Sequence, residues 1–341
     1  MKKINVSRMS RLVATAMLTT GVMFSTAAEA KQKMCVFDLL GTQGDVYALM
    51  KDYALMANKW GADIELKPYT DERIVAEDFK AGQCDGISLT GLRGRQFNTF
   101  TGSIDSIGAI NTYAQMRDVL TLLSNPKMAS YMTSGPYEVV GVMPLGAGYL
   151  LVNDRAINNL SKVSGKKIAA FDYDKAQAVM IQRIGAQPVS ADITNFATKF
   201  NNGNVDMIAA PTMAYKPLEL HKGIGAKGGI ARFPLMILTY QVVLNPAKFP
   251  AGFGEKSRGY WAGQFDRAMA LIGNADASIP GSAWIDLTAD QARQYNTMLQ
   301  ESRLAILGQG VYDKRGLTVI KKVRCAVNPA EAECKSANEE G

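Results

Sequence analysis

Two stretches of the chain fit one pattern. F-K-A-G-Q-C-D-G-I at 79–87 and F-N-N-G-N-V-D-M-I at 200–208 both read F-x-x-G-x-x-D-x-I, roughly 120 residues apart. Nine residues alone could coincide by chance. Their surroundings match as well, and that constrains the fold. Before the first stretch, C-V-F-D-L-L has the composition of a buried strand, and Gly41–Gly44 follow as a turn. Val46, Leu49, Met50, Tyr53, Met56 and Trp60 then recur at helical spacing up to Gly61. A-D-I-E-L-K-P-Y alternates like a strand, a short helix spans 71–80, and C-D-G-I-S-L closes the set.

The second stretch has the same order around it. K-K-I-A-A-F-D-Y (166–173) predicts a strand, and residues 174–184 a helix with Ala176, Val179, Met180 and Ile184 on one face, ended by Gly185. A-Q-P-V-S is a short strand. Asp192 is expected to cap a helix carrying Ile193, Phe196, Ala197 and Phe200, and V-D-M-I-A-A-P is the last strand. Each copy is therefore β-α-β-α-β. In the repeated nonapeptide the phenylalanine plugs the helix onto the sheet and the glycine supplies a left-handed cap. The aspartate has no role legible in the sequence.

Right-handed βαβ crossovers build parallel sheets covered by helices. Two such units predict a two-lobed α/β protein in which each lobe is a doubly wound, mainly parallel sheet of order 2-1-3. Y-E-V-V-G-V-M-P (137–144) and F-P-L-M-I-L-T-Y-Q-V-V-L (233–244) read either as hinge strands crossing between lobes or as core strands of one lobe. The expected organisation is a leader over 1–30, lobe I over 31–139 with a return segment over 246–341, and lobe II over 140–245.

The leader reading rests on Lys2, Lys3, Arg8 and Arg11, an apolar run from Leu12 to Ala28, and the A-x-A site Ala28-Glu29-Ala30. It predicts export to the periplasm with cleavage after Ala30. The alternative, a membrane anchor, must accommodate Thr15, Thr19, Thr20 and Ser25 inside a short run. The +7 formal charge includes this segment, so the rest carries about +4, too mild to argue for nucleic acid. Four cysteines in an oxidising compartment suggest two disulfides. Cys325 and Cys334 would staple the tail. Cys35 and Cys84 fall at the same end of neighbouring strands in a 2-1-3 sheet.

Catalytic and metal readings find little. G-x-S-x-G, H-E-x-x-H and a phosphate loop are absent, and His221 is the only histidine. The expectation is a non-enzymatic chain without cofactor or metal. In open α/β sheets ligands sit beyond the carboxyl ends of the strands. Those ends nominate Thr42, Gln43, Gly44, Thr90, Arg93 and Arg95 in the first unit. In the second they nominate Asp172, Tyr173, Thr212 and Tyr215, with Tyr149 after the first hinge candidate. Gly44 opens a helix whose free N–H groups would favour an anion or a carbonyl oxygen. Arg93 and Arg95 read either as anion contacts or as a solvated loop or salt bridge to the other lobe. Asp172 and Asp174 either meet a cationic group or cap the following helix.

A-I-N-N-L-S-K-V-S-G-K-K-I-A, then I-G-A-Q-P-V, F-N-N-G-N-V-D-M-I-A-A-P and Y-Q-V-V-L-N-P-A-K-F-P resemble the periplasmic solute-binding proteins of TRAP transporters (DctP-like) over most of residues 34–310. The chain is also similar to a family of AdeT-like solute-binding proteins, some labelled as accessory components of RND-type efflux. The resemblance implies a monomer that closes on a small polar solute and delivers it to a TRAP-type membrane transporter. The alternative it leaves is an accessory or sensor subunit of an RND-type system. One departure stands out. In the TRAP family an arginine after G-x-K-I pairs with the ligand carboxylate, and here Ala169 follows Gly165-Lys166-Lys167-Ile168.

Overall fold

The computed structural model describes residues 31–339, so the leader at 1–30 lies outside the described residues. Ten strands form one continuous sheet. β1 (Gln32–Phe37), β2 (Ile64–Tyr69) and β3 (Gly86–Thr90) come first, followed by the two-residue β4 (Thr133–Ser134). β5 (Tyr137–Val152), β6 (Lys167–Phe171), β7 (Gln187–Ala191), β8 (Met207–Pro211), β9 (Gly229–Leu244) and β10 (Trp284–Ile285) follow. The order is β2-β1-β3-β9-β5-β8-β6-β7, with β4 on β5 and β10 on β9. β1–β3 and β6–β8 are thus two parallel 2-1-3 sets, one for each repeat, facing each other across β5 and β9.

The repeated aspartate now has a function. Asp85 accepts the N–H of Lys33 at 2.8 Å and returns its own N–H to the Lys33 carbonyl at 2.8 Å. Asp206 does the same with Lys167, at 2.8 Å and 2.8 Å. Each aspartate therefore fixes the register between the third strand of its unit and the first, satisfying a strand-end donor. Gly82 and Gly203 both have φ +73°, the left-handed region only glycine enters freely, and Phe79 and Phe200 are buried beneath them.

β5 and β9 are the crossing strands. Their 16 residues run antiparallel from Glu138↔Leu244 to Val152↔Gly229. The C-terminal half of β9 pairs with β3, and the C-terminal half of β5 pairs with β8. Each strand is thus shared by both lobes. β5 extends eight residues past the predicted end at Pro144, because the ladder absorbs Pro144, Gly146 and Gly148 as register shifts instead of stopping. Gly146 sits at φ +120° in the middle of this irregular stretch.

The lobe I core packs helix Asp45–Asn58 against β1, with Leu49, Met50 and Tyr53 buried. The Tyr53 hydroxyl is 2.7 Å from Ser257 Oγ, which donates to Val140 O of β5 at 2.8 Å. Three features add to or differ from the sequence reading. The helix expected from Asp192 begins at Phe196, because the Asp192 carboxylate is used in a turn with the Thr194 N–H at 2.8 Å. The return segment also reaches the second unit: β10 pairs with Ile230–Ala231 and helix Ala289–Gly308 packs on helix Lys175–Arg183, while helix Lys314–Val327 packs on helix Tyr113–Leu123 of the first. Cys35 lies inside β1 rather than at its start.

Both disulfides form, Cys35–Cys84 and Cys325–Cys334. The second holds a tail whose Glu333 lies 2.5 Å from both buried guanidiniums Arg303 and Arg324. Those arginines donate onward to the carbonyls of Ile107 and Ala109 at 3.0 and 2.8 Å. The first bridge closes 49 residues of chain, for which loop entropy gives a contribution of about 4 kcal/mol. The C35S/C84S double variant should therefore unfold in urea with a stability about 3–4 kcal/mol lower. An unchanged midpoint at equal slope would show that the bridge adds nothing.

Candidate functional site

A cavity of about 140 Å³ lies between the two parallel sets, at the carboxyl ends of their strands. Phe37 and Asp38 reach it from β1, Thr90 and Leu92 from β3 and the turn after it, Phe171 from β6, and Pro211 and Met213 from β8 and its following turn. The crossing strands give Leu145, Gly148, Leu235, Met236, Leu238 and Tyr240. This is the place where the topology predicts a ligand.

The wall is largely apolar, and most of its polar side chains are engaged with the protein. Asp38 accepts the N–H groups of Leu40 at 2.8 Å and Tyr47 at 3.0 Å, so its carboxylate occupies the N-terminus of helix Asp45–Asn58. A Cβ on Gly44 would fall within 2.0 Å of that carboxylate, so the close approach requires glycine. Thr90 donates to Glu72 at 2.7 Å, and Gln177 accepts from the Phe171 N–H at 2.9 Å. The Tyr240 hydroxyl donates to the Phe37 carbonyl and lies 3.1 Å from Ser88 Oγ. Burial raises the Asp38 carboxyl above its usual range against those backbone donors, and burial raises the Tyr240 phenol well above its own.

Beside the cavity the lobes are joined by two polar contacts. In the first, fully buried Glu72 accepts from Thr90 of its own lobe and from the Tyr173 hydroxyl of the other, at 2.7 Å. Arg93 lies 3.7 Å from the same carboxylate, and its guanidinium carbon sits 3.3 Å from the centre of the Tyr173 ring. Arg93 Nε and Nη2 are buried without a hydrogen-bond partner. In the second contact, Arg95 of lobe I donates to Asp174 of lobe II at 2.9 Å, with both side chains largely buried. Asp174 also caps helix Lys175–Arg183 through the Ala176 N–H at 3.1 Å. Burial raises the Glu72 carboxyl, with Arg93, Tyr173 and Thr90 opposing, and burial together with Glu72 raises the Tyr173 phenol.

The structure divides the residues nominated from sequence into four groups. Gly44 and Thr90 line the cavity. Arg93, Arg95 and Tyr173 stand in the contacts between lobes. Tyr149, Thr212 and Tyr215 surround a separate space of about 10 Å³ beside Ile279, and Tyr149 packs edge-on to Trp284. Thr42, Gln43 and Asp172 are exposed. In the helix opened by Gly44, Asp38 takes the first-turn N–H of Tyr47, so that donor is not free for a ligand. Sequence reasoning missed Asp38, Glu72 and Gln177. An acidic residue at the end of a buried strand, ahead of a glycine turn and a helix, was the available signal for Asp38. Glu72 gave none, since a first-turn glutamate reads as a solvated helix start.

Asp105 lies behind the Arg95–Asp174 pair, fully buried, accepting the Thr239 N–H at 2.5 Å and the Thr239 hydroxyl at 2.8 Å. Burial pushes its carboxyl up to about 7, against the Thr239 donors and Arg95. Between about pH 4 and 7 the folded state thus holds a proton that the unfolded chain has released. Stability is lost as pH rises through that window and levels off above it. Asp105→Asn removes the effect. Urea melts from pH 4.5 to 8 should show the variant gaining on the parent up to pH 7, by at most about 1.4 kcal/mol per pH unit. A pH-independent difference would mean that Asp105 is ionised throughout.

Comparison with known proteins bears on the fold and the lineage. The model of the family described as "Solute-binding protein AdeT 1/2" matches residues 54–340. The chain is 46% identical over 299 residues to the "Probable solute-binding protein AdeT1" of Acinetobacter baumannii, covering 88% of this chain and 98% of that one. It is 26% identical over 236 residues to the AdeT2 protein of the same organism, covering 68% and 98%. Among solved structures it superposes on a TRAP periplasmic solute-binding protein from Desulfovibrio salexigens with bound orotic acid, at TM-score 0.72 and 14% identity, covering 86% and 97%. The corresponding protein of Xanthobacter autotrophicus Py2, with bound β-D-galacturonate, gives TM-score 0.70 and 14% identity, covering 86% and 99%. That of Rhodoferax ferrireducens, with bound malonate, gives 0.70 and 11%, covering 88% and 100%. At these identities the likeness is one of fold.

Proposed function

We propose, for a chain that belongs to the AdeT 1/2 family of solute-binding proteins, that it captures a small solute in the cavity between its lobes and delivers it to a membrane transporter. The observation that carries this reading is the pair of polar contacts beside the cavity. Glu72 with Tyr173, and Arg95 with Asp174, each take one partner from either lobe. They form in the closed arrangement and must part when the lobes open. The hinge is the irregular middle of β5, where register shifts around Gly146 already loosen the ladder.

In this reading Gly44 and Thr90 stay with the solute cavity, while Arg93, Arg95 and Tyr173 work in closure. The proposed lobes are 31–139 with 246–341, and 140–245, bent about the crossing strands. The protein acts in the periplasm after cleavage beyond Ala30, as a monomer. The transporter is taken to be of TRAP type rather than RND type, because the fold is the one TRAP solute-binding proteins have. Among the described residues no helix is long and apolar enough to cross a membrane. The solute is bound and released unchanged.

Solute shifts the population toward the closed form only by what it gains there over the open form. Breaking the protein's own closing contacts should therefore open the unliganded molecule. The doubly substituted R95A/Y173F protein should show a larger radius of gyration than the parent in small-angle X-ray scattering. Identical scattering curves for the two would sink the closure role of these residues.

A further inference from the structure

The chemistry of the cavity wall goes further than its location. Its large side chains are hydrocarbon or aromatic, among them Phe37, Phe171, Phe196, Leu235 and Leu238. Among the described residues, the charged ones on it are the carboxylates Asp38 and Asp45, and no lysine, arginine or histidine lines it. The helices Asp45–Asn58 and Lys175–Arg183 that start at the cleft each give a first-turn N–H, Tyr47 and Ala176, to the protein's own Asp38 and Asp174. Arg93 and Arg95 are each matched by a buried acid, Glu72 and Asp174. An anionic group entering this space would lose its water, find no cation, and face Asp38.

We infer that the solute is a small, apolar, carboxylate-free molecule of about one or two fused rings. The size follows from the 140 Å³ volume, close to the roughly 150 Å³ apolar cavity that accepts benzene. This rests on the capture reading above and names its ligand class. It differs from the small polar solute expected from the resemblance, because among the described residues the wall carries no cationic side chain to hold a charged one.

Matched probes test the inference. Indole is uncharged and apolar, indole-3-carboxylate adds one carboxylate to the same ring, and malonate is the ligand described for one structural relative. Calorimetric titration of the mature protein should give saturable binding of indole, at least tenfold tighter than indole-3-carboxylate, and no binding of malonate. Met213 is half-buried at the cavity edge, so Met213→Trp should fill the space and weaken indole at least tenfold without changing the melting temperature of the free protein. Should that variant unfold, Gly148→Leu serves instead, because a Cβ there meets side chains only at 3.7 Å. Tighter binding of either carboxylate overturns the apolar assignment. So does indole binding that persists unchanged in the filled variant, or no indole binding at its solubility limit. If a carboxylate binds and compacts the protein in scattering, the capture reading survives while this inference falls. If indole binds but neither indole nor R95A/Y173F alters the scattering, the ligand class survives while hinge capture falls.

Discussion

The antiparallel pairing of β5 with β9 is the constraint on which the other features depend. Two parallel three-stranded sets could pack in many ways. Because β9 pairs with β3 at one end and β5 pairs with β8 at the other, both sets are tied to one ladder. The carboxyl ends of β1, β3, β6 and β8 then face a common space, so the cleft follows from topology before any side chain is considered. The same ladder sets how the lobes can move. The ladder is irregular at several points, and its shifts at Pro144/Gly146 and Gly148/Tyr149 lie close together in the middle of β5. Bending there disturbs the fewest hydrogen bonds, so motion is directed across the cavity and not along the sheet.

Much of the scaffold was legible in the sequence because it is local. The repeat, its glycine stops and the helical spacing of Val46, Leu49, Met50 and Tyr53 depend on neighbours within a few residues, and the structure follows them closely. Contacts between distant segments were not legible. Asp85 and Asp206 are plainly repeated, but their partners lie 52 and 39 residues away, so their register-fixing role appears only once the strands are adjacent. The extension of β5 past Pro144 has a similar cause. Pro-Leu-Gly-Ala-Gly reads as a turn, and only β9 alongside turns it into a bulged strand.

The cleft shows the same limit in its electrostatics. Sequence placed Arg93 and Arg95 at a strand end and left open whether they meet an anion or the other lobe. The buried acids Glu72 and Asp174 account for both charges. Buried ion pairs are weak evidence for stability, since desolvation offsets much of the attraction. Their value here is conditional on geometry. When the lobes part, Arg95, Asp174, Glu72 and Tyr173 regain water, so the cost of opening is far smaller than that of removing one partner from a closed site. A contact that is nearly neutral overall yet strict in geometry suits a surface that must form and break repeatedly.

That balance bears on what an apolar solute can do. Burial contributes roughly 25 cal/mol per Å² of apolar surface, so a ligand exposing about 150 Å² supplies on the order of 4 kcal/mol before ordering costs. By itself this is less than the approximately 5.5 kcal/mol needed to move a strongly open population to a strongly closed one. The Glu72–Tyr173 and Arg95–Asp174 contacts, which involve no ligand, can hold the open and closed forms near balance, so that a few kilocalories of apolar contact suffice. A protein that closes on a carboxylate can draw on charge-assisted hydrogen bonds to the ligand for the same purpose. Here the charged groups join protein to protein, and the cavity is left to hydrocarbon. The apolar wall and the polar latch beside the cavity are therefore two parts of one arrangement.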